Sequence, residues 1–278
     1  MVQERHVIVH DDDRGRIVYM DSITHANEKY GPDDVLIGGS WMGVVTVSFA
    51  APLKPKAIIC NDAGVGLNGG GINGLYYLDG LYIPAAAAAA NSCEIANGQS
   101  HWETGVVSHV NHWARACGCE PGMSVQEAAR AMLNWSDAVR EAAPGRDSRH
   151  TVYDADDGQI VTVDSIKFVV PEDRDKVVII GSHGGVTTCG YAAPVSPRGV
   201  ITNDGGGGRD GAGTRGLKLL NDTGIPAAGV AVHSASIGDG YGMYQYGIIS
   251  TVNEAAAALG ARPGMRTRDV ADLFLRGA

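Results

Sequence analysis

Short apolar runs alternate with segments of helical spacing along the whole chain. Residues 177–180, 199–202 and 225–232 are runs of four to eight mostly apolar residues, the length expected of buried strands. Between and after them, residues 211–221, 241–259 and 267–275 carry apolar positions at helical spacing. Residues 69–79, 99–117 and 125–140 carry the same pattern earlier in the chain. Such alternation predicts α/β units with a largely parallel sheet. Residues 85–90 are six consecutive alanines, which favour a helix by propensity alone. A later segment after the same Ile-Pro reads Ala-Ala-Gly-Val-Ala-Val, and that comparison predicts a strand packed closely by small residues.

The recurrence is an internal duplication. Shifted by 142 positions, Val35 to Leu133 aligns with Val177 to Leu275 without a gap, with 41 identities in 99 positions. Upstream the offset becomes 143, where Gly15 to Ile23 meets Gly158 to Ile166. The unit is domain-sized rather than a solenoid repeat. The expectation is therefore two tandem, pseudo-twofold-related α/β repeat units, residues 1–142 and 151–278, joined by a linker at 143–150.

Composition narrows the class. The chain has 278 residues, 44% of them apolar and 19% charged, an ordinary globular balance, but its 39 glycines are about twice the usual share. A net charge of −9 gives no basic footprint, so neither nucleic acid nor an anionic membrane is an expected partner. Five cysteines form no CxxC pair, which fits reduced thiols in a cytoplasm rather than a disulfide or zinc framework. The charged start lacks the apolar core of a signal peptide. A homo-oligomer acting on a small molecule is expected.

Candidate chemistry collects where the strands end, the usual ligand edge of an α/β sheet. Residues 177–180 run into Gly181-Ser182-His183, matched by Gly39-Ser40-Trp41. The next strand ends in Asn203-Asp204, matched by Asn61-Asp62, and the third in His233-Ser234-Ala235-Ser236, matched by Asn91-Ser92-Cys93-Glu94. The bland reading is that Asn, Asp and Ser only cap the following helices. The functional reading makes Ser182 a nucleophile or oxyanion donor and His233 or His183 the general base, with Asp204 orienting it. Ser40, Asn61, Asp62, Asn203, Ser234 and Ser236 would line the substrate, and Arg209 and Arg215 would hold a carboxylate or phosphate.

Both halves also carry glycines at GxGxxGxGxxG spacing, starting at Gly64 and at Gly206. Backbone amides there, at Gly206 and Gly208 among others, suit a small anion or a dinucleotide with Glu94 on its ribose; purely structural turns are the other reading. Asp62 and Asp204, placed just before the first glycine, argue against pyrophosphate. His101, His109 and His112 fall on one predicted helix, but His101 and His112 would be about 16 Å apart along its axis, so no complete metal set is expected. No cofactor is expected.

The expected function is a small-molecule enzyme, a hydrolase of an amide, ester or ring bond in a polar anionic substrate. A lyase or isomerase using an Asp/His pair, and a non-catalytic small-anion or nucleotide binder, are the alternatives.

Overall fold

The computed structural model describes residues 4–142 and 148–277. The first unit runs β1 (His6–Asp12), β2 (Gly15–Met20), β3 (Asp34–Trp41), α1 (Val44–Ala50), β4 (Ala57–Asn61), α2 (Gly74–Gly80), β5 (Ala85–Ala88), α3 (Gly98–Thr104), β6 (Val107–Val110), α4 (His112–Ala116) and α5 (Val125–Met132). The second repeats it: β7 (Arg149–Ala155), β8 (Gly158–Val163), β9 (Val177–His183), α6 (Val186–Ala192), β10 (Gly199–Asn203), α7 (Gly216–Asp222), β11 (Ala227–Val230), α8 (Gly240–Tyr246), β12 (Ile249–Val252), α9 (Glu254–Ala258) and α10 (Thr267–Arg276). Each unit is a six-stranded sheet in sequence order, β1 to β6 and β7 to β12. The four inner strands of each are parallel, and the two edge strands pair antiparallel to them. The chain is thus an α/β protein of two similar units. Of the linker expected at 143–150, residues 143–147 lie outside the described residues, and Arg149 and His150 already belong to β7.

Helices cover both faces of each sheet, which is why the inner strands read as continuous apolar runs rather than alternating ones. In the first unit Val35, Ile37 and Ile59 pack with Val125, Ala129 and Met132 of α5 on one face, and Leu36 and Ile58 pack with Val47, Leu75 and Leu78 on the other. The second unit repeats this, with Phe274 and Val270 of α10 on one face and Leu217 and Leu220 of α7 on the other. The alanine run forms β5, fully buried, with Ala86 and Ala88 facing one helix layer and Ala85 and Ala87 the other. Tertiary pairing overrides helix propensity there because a strand of methyl groups lets both layers approach closely.

The helices expected at 99–117 and 241–259 are each a helix, a strand and a second helix. Gly105 and Gly247 end α3 and α8 in extended backbone. A methyl group on either would lie about 2.5 Å from the carbonyl of His101 or Met243, so only glycine fits this tight exit, and the β-branched residues that follow pair as edge strands. Asn111 and Asn253 then start α4 and α9. Asn253 Oδ1 accepts the amides of Ala227 and Ala256 at 3.0 and 2.9 Å, and its Nδ2 donates to the Ile225 carbonyl at 2.9 Å, tying strand, loop and helix together in the interior. Asn253→Ala strands two buried amides and is expected to cost about 2 kcal/mol, read as a lower urea midpoint at unchanged slope. A midpoint equal to that of the parent would mean that the asparagine is no more than a surface cap.

Candidate active site between the two units

The two sheets offer their carboxyl ends to one another about a pseudo-twofold axis. Trp41, Ala63 and Ile95 of the first unit form a small apolar core with Ala212, Val232 and Ile237 of the second. The Leu67 amide donates to the Val232 carbonyl at 2.9 Å, and the matched Arg209 amide donates to the Ala90 carbonyl at 2.8 Å, so the axis is respected down to single hydrogen bonds.

A bulge delivers the site residues to this axis. In β3 the pairing with β4 is regular as far as Ile37 with Ile59 and resumes at Trp41 with Asn61; β9 and β10 do the same between Ile179 with Ile201 and His183 with Asn203. Two extra residues in each strand throw a serine and the ring after it out of the sheet. Glycine makes the bulge possible: a Cβ on Gly39 would sit 2.5 Å from the Asp21 carbonyl oxygen, and one on Gly181 would sit 2.6 Å from that of Asp164.

Ser40, Ser182 and His183, all expected from the sequence, meet here in one narrow cleft with Ser22, Ser165, Thr187, Tyr191, His25 and Trp41. It has room for little more than a water molecule, enough for the reacting head of a substrate. The Ser182 hydroxyl oxygen accepts the Ile166 amide at 3.0 Å, as Ser40 accepts the Ile23 amide at 3.0 Å. Each serine therefore staples its own unit and keeps its hydroxyl proton to donate. Ser40 continues into Ser22 at 3.1 Å and Thr24 beyond it.

His183 is buried edge-on against Trp41, with centroids 6.2 Å apart and planes at 89°. The Gly185 amide donates to its Nδ1 at 3.0 Å, so the proton of the neutral ring is on Nε2, which has no partner among the described residues. Burial pulls its pKa from 6.5 to about 4. His183 is thus a neutral N–H donor at physiological pH and has no lone pair to serve as the general base through Nε2. The Trp41 indole N–H is buried without an acceptor.

Opposite, His25 stacks near Tyr191 at 5.3 Å, and its Nδ1 lies 3.1 Å from Glu4 Oε2, close but out of line for a hydrogen bond. Glu4 itself accepts the Ser22 amide. His25 faces Phe168 in the repeat alignment, and no spacing in the sequence marked it. The signal that was available is the mismatch itself.

The remaining expected residues lie elsewhere. Asp204 Oδ1 accepts the amides of Gly206 and Val232, both at 3.0 Å, and Asp62 Oδ1 repeats this with Gly64 and Ala90. Asn61 and Asn203 are fully buried and accept the amides of Ala63 and Gly205. Each glycine-rich loop thus encloses a carboxylate of its own. Around it the amides of Gly207, Arg209, Gly211 and Gly213 are all spent within the loop or across the axis. Gly206 passes over Gly64 with both in left-handed backbone, a close crossing that only glycine makes without strain. The loops fasten the two units together, and most of their amides are already bonded.

Arg209 donates to the Ser92 carbonyl and the Thr104 hydroxyl, and Arg215 pairs with Glu94 at 2.8 Å, holding that carboxyl below its usual range. Both arginines clasp the first unit. Ser234 closes the turn to β12 exactly as its mate Ser92 closes the turn to β6, each bonding the carbonyl three residues back, and Ser236 donates to the Leu67 carbonyl. His233 is exposed on the rim. Asp62, Gly206 and Gly208 border a separate open groove that shares no residue with the cleft.

His101, His109 and His112 sit on α3, β6 and α4, and among the described residues no three His, Cys, Asp or Glu side chains are grouped to hold a metal ion. Nor is any described helix long and apolar enough to cross a membrane. No family model, curated protein or solved structure matches the chain.

Proposed function

We propose that the cleft at Trp41 and His183 is the catalytic site of a small-molecule hydrolase, acting on an amide, ester or ring bond of a polar substrate. The observation that carries this reading is the locked tautomer of His183, an Nε2–H donor that shares a narrow, hydroxyl-lined cleft with Ser182. Two neutral donors in one narrow cleft suit the oxygen of a carbonyl as it gains charge, a preorganised stabilisation that liquid water does not offer. His25, with Glu4 behind its Nδ1, would take a proton from the attacking water through Nε2 and return it to the leaving group. Ser182 would donate rather than attack, because its oxygen already accepts an amide and no base lies within hydrogen-bonding reach of it.

In a screen of small esters, amides and lactams, His183→Phe is expected to lower kcat by about 10²-fold, the lower range for one oxyanion donor. His183→Gln, whose amide N–H reaches toward the same place, is expected to restore part of it. Equal turnover in all three proteins would remove the cleft as the site. The same donors suit an enolate in a lyase or isomerase; product carrying ¹⁸O from labelled water separates hydrolysis from that alternative. Five free cysteines support a cytoplasmic setting, which is part of the proposal.

A further inference from the structure

The two units line the cleft differently. On the first unit's side the hydroxyls of Ser22, Thr24 and Ser40 are chained to one another. Thr46 there donates to the carbonyls of Trp41 and Gly43 at 2.6 and 2.9 Å. On the second unit's side Thr188 is the matched threonine, and Thr187 stands where the first unit has Val45. Thr187 is only 8% exposed and Thr188 only 2%, yet among the described residues neither hydroxyl has a hydrogen-bond partner. Duplication thus left one threonine spent on its own backbone and freed its copy, with a second hydroxyl added beside it in sequence.

The hydrogen-bonding capacity of this wall selects its ligand. His183 offers an Nε2–H and no lone pair, because its Nδ1 takes the Gly185 amide. Ser182 accepts the Ile166 amide and keeps its proton to give. Each threonine hydroxyl can accept as well as donate, so the wall holds two groups for a carbonyl oxygen and two for N–H groups. Among the described residues no lysine or arginine lines the cleft. Its one carboxylate, Asp21, is taken by Arg5 at 2.9 Å and by the Gly98 amide at 3.1 Å. A carboxylate ligand would be buried without a counter-charge of its own, since Glu4 already faces His25. An ester brings no N–H for the threonines.

We propose that this wall is a primary-carboxamide subsite, in which His183 and Ser182 donate to the carbonyl oxygen and Thr187 and Thr188 accept the two amide protons. Turnover of such an amide rests on the hydrolase reading above; its recognition rests on this wall alone. In hydrolysis the water oxygen bonds to the carbonyl carbon and gives a proton to His25. The C–N bond then breaks as the nitrogen takes that proton, leaving a carboxylic acid and ammonia.

Acetamide is the probe, with acetate and methyl acetate as near neighbours in size. Binding to the full chain is read from NMR shifts of the backbone amides of residues 182–188. Acetamide is expected to shift them saturably, and the other two to bind roughly tenfold more weakly or worse. Thr187→Val copies the residue that the first unit holds at this position. It and Thr188→Val are each expected to weaken acetamide by roughly tenfold, the effect of leaving one N–H unmatched, while Thr188→Ser retains it. No binding of acetamide, equal binding of acetate or methyl acetate, or unchanged affinity in either valine variant would overturn the proposal. Release of ammonia separates the two readings. Acetamide bound in this pattern, with no ammonia formed from it or from longer carboxamides, would overturn the hydrolase reading alone. Ester turnover lost in His183→Phe, with both valine variants binding acetamide as the parent does, would overturn the carboxamide subsite alone.

Discussion

Trp41→Ala is expected to destabilise the protein by about 3 to 5 kcal/mol, the range for removing a large buried aromatic side chain. Trp41 is only 2% exposed and is the largest member of the apolar core that joins the units. Its ring fills the space between His183, Val45 and the backbone of Gly238. Nothing nearby is placed to fill the void, because Gly43 and Gly238 border it and their backbones are pinned by neighbouring turns. For a chain of this size the loss corresponds to a fall in melting temperature of roughly 10 °C. A melting curve superimposable on the parent would show that the two units do not depend on this contact.

The second large effect is acid sensitivity from His183. Its pKa falls from 6.5 to about 4 because the ring is desolvated, so between those values the unfolded chain binds a proton that the folded chain refuses. The contribution to stability is intact above pH 6.5 and is lost as the pH falls toward 4, by about 3 kcal/mol in all. His183→Asn keeps an oxygen that can accept the Gly185 amide but has no proton to take up. His101 and Asp164 are both shifted upward and act in the opposite direction, and they cancel when parent and variant are compared at each pH. Urea midpoints between pH 4.5 and 7.5 are therefore expected to converge as the solution is acidified. Parallel curves would place the His183 ring in contact with water.

The duplication made the architecture legible before any coordinates, since 41 identities in a gapless register require two copies of one fold. Local order was harder. Val107-Ser-His-Val110 and Ile249-Ser-Thr-Val252 follow helical segments without a proline or a change in polarity, and only their pairing with β5 and β11, a tertiary fact, makes them strands. The site was legible in part for the same reason. Ser40, Ser182 and His183 stand at strand ends, and the bulge brings them together. Asp204, Arg209 and Arg215 looked equally chemical, yet their partners are a loop amide, a carbonyl and a glutamate that sequence distance does not reveal. Glu4 escaped notice because it precedes the stretch where the two copies align, and His25 because only its mismatch with Phe168 sets it apart.

A true homodimer of half-length chains sharing this interface would bring each residue near its axis against its own copy, so position 41 would have to be tryptophan twice or histidine twice. Two tryptophans would leave the cleft without the imidazole of His183, and two histidines would leave the core between the units half filled. Fusing the copies into one polypeptide frees the paired positions to differ, and here one ring is the indole of Trp41 and the other the imidazole of His183. Covalent linkage thus lets a twofold framework carry a site that has a front and a back.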